Sequence, residues 1–186
     1  MIYPIVAYGD PVLTKVAVDI EKDGELDVKQ LANDMFETME AANGVGLAGP
    51  QIGLNKRIFV IDSSLMLEED EQEEGLRQVF INAEIIEEDG DDWGMEEGCL
   101  SIPGIRGEVF RPEIVKIRYF DENWNEHVRE FDGMTARVIQ HEYDHIDGIL
   151  FTELLSPLKR RMIKGKLDKI TKGICKYDYK MIFPKR

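Results

Sequence analysis

Residues 140 to 148 read Gln-His-Glu-Tyr-Asp-His-Ile-Asp-Gly, with two histidines four positions apart and a glutamate directly after the first. On a helix turning about 100° per residue, His141 and His145 share a face and can offer both imidazoles to one ion. Glu142 sits one position round, too far to be an equal ligand but close enough to reach a water beside that ion. His-Glu-x-x-His helices of this kind hold zinc in metalloproteases and supply the general base. The pattern is short, and two polar histidines on a half-exposed helix satisfy it without any metal. A catalytic centre needs a third protein ligand and an open position for water. Glu153, just past the helix end, is one candidate. The other is Cys99, in Met95-Glu-Glu-Gly-Cys-Leu-Ser-Ile-Pro-Gly104. A thiolate between a glycine and an aliphatic residue in a turn-rich stretch suits coordination, although a free cysteine is usually a small buried side chain. His127 lies upstream on a predicted hairpin and is expected at the surface.

A second glycine-rich stretch, Gly44-Val-Gly-Leu-Ala-Gly-Pro-Gln-Ile-Gly53, satisfies the G-x-G-x-x-G spacing. A helix precedes it and Pro50 with a strand follows, the reverse of the strand-to-helix context that dinucleotide binding requires. It also lacks the Gly-Lys-Ser/Thr ending of a phosphate loop. What remains is backbone that can approach a ligand closely, ending on the amide of Gln51.

The elements that position these residues follow from periodicity. From Asp27 to Asn43, Val28, Leu31, Ala32, Met35, Phe36 and Met39 fall at helical spacing, with Asp27 as N-cap and Gly44 as the stop. Arg57–Asp62, Gln78–Asn82, Glu113–Phe120 and Glu126–Phe131 read as strands, the last two joined through a hairpin loop at Asp121–Asn125. The acidic runs Glu68–Glu74 and Glu87–Asp92 read as solvated loops. Gly133 to Gln140 leads into the histidine motif, and Met134, Val138, His141 and His145 continue one stripe toward the core. Buried imidazoles need partners, which a metal would supply on one side and Asp144, Asp147 or a backbone carbonyl on the other. Ser156 and Pro157 open a basic helix, about 156–173, with Leu158, Met162, Ile163 and Ile170 on its apolar side. Helices and strands do not alternate as βαβ units would, so the class is α+β.

The 186 residues, 43% of them apolar, suffice for one substantial core, and the chain reads as a single domain over 1–186. The N-terminus lacks the features of a secretory leader, and no stretch approaches the roughly 20 apolar residues of a membrane span. With two cysteines, Cys99 and Cys175, a reducing cytoplasm is expected. A net charge of −14 argues against general nucleic-acid binding, DNA included. It is unevenly spread: residues 157–186 carry eleven Lys/Arg against two Asp/Glu, a net +9 that leaves −23 on residues 1–156.

Three segments together resemble the peptide deformylase family of bacterial type: Gly44-Val-Gly-Leu-Ala-Gly-Pro-Gln51, Glu97-Gly-Cys-Leu-Ser101 and Gln140-His-Glu-Tyr-Asp-His-Ile-Asp-Gly148, in the family's order. The opening Gly9-Asp-Pro-Val-Leu13 is also similar. Gly49 stands where alanine is usual, a change expected to loosen the loop before Gln51, and Ile146 replaces a leucine of equal volume. The resemblance implies antiparallel sheets packed around a central helix that carries the histidines, and removal of the formyl group from nascent N-formylmethionyl chains with release of formate. It implies that Cys99, His141 and His145 bind one divalent ion, Fe²⁺ with Zn²⁺, Ni²⁺ or Co²⁺ able to substitute, and leave a fourth position to water. Glu142 would be the general base, and the Gln51 amide and Leu100 N–H would stabilise the oxygen that becomes negative. Val45, Gly46 and Gly98 would hold the substrate backbone. Met95, Met134 and Val138 would line a methionine pocket, with Arg106 at its mouth. The basic C-terminal helix suits ribosomal RNA, or is simply a solvated face. Two rivals stand beside this reading. A His-Glu-x-x-His endopeptidase would cut internal bonds and survive loss of Cys99, and a structural metal protein would need a fourth ligand, for which Cys175 is the obvious spare.

Overall fold

The computed structural model describes residues 1–67 and 75–185. Its main sheet has the strand order β2-β3-β4-β5-β6, with β2 at Gly46–Ala48, β3 at Ile58–Asp62, β4 at Arg77–Cys99, β5 at Ile102–Phe120 and β6 at Glu126–Phe131. Every neighbour pair is antiparallel. Helix α1 spans Val28–Ala41, α2 Gly133–Ile146 and α3 Pro157–Ile170, while β1 at Ile5–Val6 pairs in parallel with β7 at Met181–Ile182.

All five residues of β3 are buried because the strand lies between two helices. Phe59 and Ile61 pack with Phe80, Ile117, Val138 and Ile139 on the α2 side. Ile58 and Val60 alternate to the other face and meet Leu31, Met35 and Met39 of α1. Burying each such side chain contributes about 1.5–3 kcal/mol, so the two helices and the sheet fix one another in place. The α+β class and the central position of the helix bearing the histidines agree with expectation.

The N-terminus of α1 is capped as expected, with Asp27 Oδ1 accepting from the N–H groups of Lys29 and Gln30, both at 3.1 Å. Its stop differs by one residue. Asn43 takes the left-handed conformation (φ 54°), and the N–H of Gly44 donates to Met39 O at 2.9 Å in a Schellman closure. The loop at Asp121–Asn125 forms because Asp121 Oδ1 accepts from the N–H groups of Asn123 and Asn125.

Three expectations need correction or comment. Glu87–Asp92 is part of β4, paired across to Lys116, Val115 and Ile114 of β5. The acidic side chains are exposed, so the segment lacks the apolar alternation by which half-buried strands are read. The cysteine stretch is likewise mostly strand, closed by the two-residue turn Leu100-Ser101 between Cys99 and Ile102. On α3, Ile163 and Ile170 are buried, but Leu158 and Met162 are 62% and 68% exposed. Helical spacing places apolar residues on one side without saying how far the domain reaches. The run Glu68–Glu74 lies outside the described residues. None of the described helices is long and apolar enough to cross a membrane.

Candidate active site

The hairpin turn and α2 bring the three motifs together. Cys99 ends β4, and its Sγ lies 3.3 Å from His145 Nε2. The ligand atoms of Cys99, His141 and His145 all lie within 4.8 Å of one another. Donors bound tetrahedrally at 2.0–2.3 Å from an ion stand about 3.3–3.6 Å apart, so this set fits one ion with small adjustments. Burial pushes His145 well below its ordinary value and keeps it a neutral imidazole. Burial lowers His141 too, but hydrogen bonds to Cys99 and Glu97 outweigh that and raise it. A cation among these ligands would take the proton's place. Glu153 sits in the 3-10 turn Phe151–Leu154, where it faces the Leu150 N–H, and Cys175 packs against the same apolar cluster as Cys99 without joining the three converging ligand atoms.

Glu97 is the organiser that sequence reasoning quoted but gave no role. Its carboxylate accepts from His141 Nδ1 at 2.9 Å, from Arg111 at 2.7 and 3.1 Å, and from Arg137 at 3.1 Å. Burial alone would raise its pKa, but the hydrogen bonds from His141 and Arg111 hold it well below the usual carboxylate range. An ionised Glu97 makes His141 Nδ1 the donor and leaves Nε2 free to coordinate. Asp144 and Asp147, the expected partners of the histidines, instead bind Arg111 and Arg57, each at 2.8 Å. The missed signal was strand alternation: Glu97 and Cys99, two apart, point to the same face.

Gln51 is oriented by the backbone of its own loop. The Ala48 N–H donates to its Oε1 at 2.9 Å, which turns Nε2 toward Cys99 Sγ and Ser101 Oγ, both at 3.4 Å. Glu142 is 4% exposed, and burial raises its pKa to about 7 against the pull of His141. Its buried Oε2 has no protein partner. The glycines of this loop are explained by close approach. A Cβ on Gly46 would stand 2.4 Å from Glu142 Oε1, and one on Gly44 2.8 Å from Leu100 Cδ1. At Gly49 a Cβ would meet the Lys56 carbonyl oxygen at 2.7 Å. The expected loosening does not follow, because this tight chain path leaves no space for alanine's methyl group.

These groups share a cavity of about 600 Å³. Val45, Gly46, Met95, Gly98, Arg106 and Val138 line it together with Gln51, Cys99, Leu100, His141 and Glu142. Met134 does not. One turn earlier on α2, it stays half-buried outside the lining. Met66, Arg137 and the C-terminal residues Lys176–Tyr179 are further wall residues that spacing gave no reason to select.

Comparison with known proteins agrees with this geometry. The family model described as polypeptide deformylase matches residues 2–161. A peptide deformylase of Cytophaga hutchinsonii is 64% identical over 184 residues, covering 99% of this chain and 98% of that protein. One from Christiangramia forsetii is 53% identical over 191 aligned positions, covering 99% and 97%. Among solved structures, the peptide deformylase of Legionella pneumophila superposes with a TM-score of 0.79 at 40% identity, covering 92% of this chain and 96% of that one. With the three motifs in one cavity and these relatives matched over nearly their whole length, the chain belongs to the peptide deformylase family.

Proposed function

We propose that Cys99, His141 and His145 hold one divalent ion, and that Glu142, Gln51 and Leu100 use it to hydrolyse the formyl amide of N-formylmethionyl nascent peptides. Metal-dependent deformylation is the family's reaction, and the observation that carries the residue assignment is the convergence of the Cys99 thiol and the two imidazoles beside a cavity lined by Cys99, His141, Glu142 and Gln51. A thiolate with two imidazoles suits Fe²⁺, Zn²⁺, Co²⁺ or Ni²⁺, and Fe²⁺ is the ion we assign. When bound, such an ion supplies Lewis acidity and makes water a nucleophile near neutral pH.

The chain's own residues do the rest. Glu142, raised to about 7 by burial, is suited to take the proton of the attacking water and to return it to the leaving amine. The Gln51 amide and the Leu100 N–H donate to the formyl oxygen as it becomes negative, and formate leaves with the carbonyl carbon. β2 is an edge strand of the sheet. Val45 and Gly46 can therefore pair with an extended peptide across from Gly98. Met95, Met66 and Val138 receive the unbranched methionine side chain, with Arg106 at the mouth. A substrate emerging from the ribosome calls for a cytoplasmic enzyme. The basic residues of α3, the half-buried Lys159 and the exposed Arg160 and Arg161, offer a salt-dependent contact to ribosomal RNA. The pairing of β1 with β7 supports reading the whole chain as one catalytic unit.

The test is formate release from an N-formyl-Met tripeptide by protein prepared under reducing conditions and loaded with Fe²⁺ or Ni²⁺. Stoichiometric formate and free amine are expected, with internal bonds intact. Cleavage of internal bonds without formate would instead identify an endopeptidase.

A further inference from the structure

The turn that carries Cys99 and Leu100 is held by both ends of the chain. The Tyr179 hydroxyl donates to the Leu100 carbonyl at 2.7 Å, and the Tyr8 N–H donates to the Ser101 carbonyl at 2.9 Å. The two termini are tied to each other, Ile5 N–H to Lys180 O and Ala7 N–H to Ile182 O, both at 2.8 Å. Gly173, at φ 72°, reverses the chain after α3, so that Lys176–Tyr179 run along the cavity wall before β7 docks on β1. The match to the family model ends at residue 161, before this segment begins.

We infer that the C-terminal segment completes the substrate cavity and that Tyr179 is a positioning residue for the Leu100 N–H. This inference rests on reading that N–H as a donor to the formyl oxygen. The N–H and C=O of Leu100 lie on adjacent peptide planes that meet at one Cα. Fixing the carbonyl plane leaves the amide plane two soft rotations, ψ and φ of Leu100. The Leu100 side chain, lodged against the α-carbon of Gly44, opposes ψ, and the pairing of Cys99 with Ile102 limits φ. The Gln51 Oε1 is held from its own loop by the Ala48 N–H, while its Nε2 reaches Cys99 and Ser101 only by longer contacts, so Tyr179 bears chiefly on the Leu100 donor. Misplacement by 1 Å can cost on the order of a hundredfold in rate. Loss of a single hydrogen bond that limits such drift costs less.

The substitution Tyr179→Phe keeps the ring and removes the donor. In metal-loaded protein with N-formyl-Met tripeptide, kcat is expected to fall about five- to tenfold with KM within about twofold, because the Leu100 N–H acts on the charge that develops in the transition state. Metal content and thermal midpoint stay at the parent's values, and hydrogen–deuterium exchange over residues 98–102 becomes faster. Gln51→Leu is the contrast, lowering kcat by removing the other donor while the Tyr179 hydroxyl stays on the Leu100 carbonyl, so that exchange over the turn rises less than in Tyr179→Phe. A Tyr179→Phe enzyme with the parent's kcat and the parent's exchange would overturn the inference. So would a loss of kcat accompanied by equal loss of metal or of folded protein, which would mark Tyr179 as a general support of the fold. Should the parent itself release no formate, the functional reading would fall, while the exchange comparison would still decide whether Tyr179 holds the turn.

Discussion

The turn and the middle of the β4–β5 ribbon are built from the same antiparallel pairing and differ in what surrounds them. At the turn end, Glu97 binds two arginines and a histidine in a nearly dry setting, and the carbonyls of Leu100 and Ser101 are each tied to a chain terminus. In the middle, Glu87–Asp92 is exposed, Gly90 takes φ 81°, and the register shifts repeatedly between Ile81 and Asp92. Buried charges and a crowded backbone make the turn intolerant of change. Water can replace nearly every contact of the exposed middle. Rigidity is therefore concentrated around Cys99 and Leu100.

Four substitutions would break or sharpen this contrast. Glu97→Leu should have the largest effect, leaving Arg111 and Arg137 without their shared carboxylate, at a cost of about 3–5 kcal/mol. Urea unfolding would measure it, and metal content should fall because His141 loses the group that orients it. Gln51→Leu comes next, with a rate loss of about a hundred- to a thousandfold in steady-state kinetics and metal retained. Gly46→Ala should cost on the order of a hundredfold by pushing the Glu142 carboxylate off its position, with a crystal structure of the variant locating the displaced oxygens. Arg118→Ala, beside the exposed middle of the ribbon, removes an exposed pair with Glu84. Neither the thermal midpoint nor kcat/KM should change measurably, since exposed pairs contribute little.

This same contrast separates what could be read in the sequence from what could not. Cys99, His141, Glu142, His145 and Gln51 are visible because their side chains announce a chemistry and their spacing is fixed by helix or turn. α1 and the Asp121–Asn125 hairpin are visible through periodicity and an aspartate cap. Glu97, Arg111 and Arg137 were overlooked because a buried ion network looks like ordinary surface charge until strands are paired across many residues. The middle of β4 was misassigned for the opposite reason: an exposed ribbon needs no apolar alternation. Leu158 and Met162 keep helical spacing without burial, and Met134 keeps it without reaching the cavity. Tyr179 follows a glycine turn in an aperiodic segment, and only the β1–β7 pairing brings it to Leu100.

The measurement that bears most directly on the central claim is formate release by Glu142→Ala alongside the parent, with metal content determined on the same samples. Equal metal content and a loss of two to four orders of magnitude, the usual worth of a positioned acid–base group, is the predicted result. A fully metallated Glu142→Ala protein turning over within about tenfold of the parent would contradict the assignment of Glu142 as the group that moves the proton.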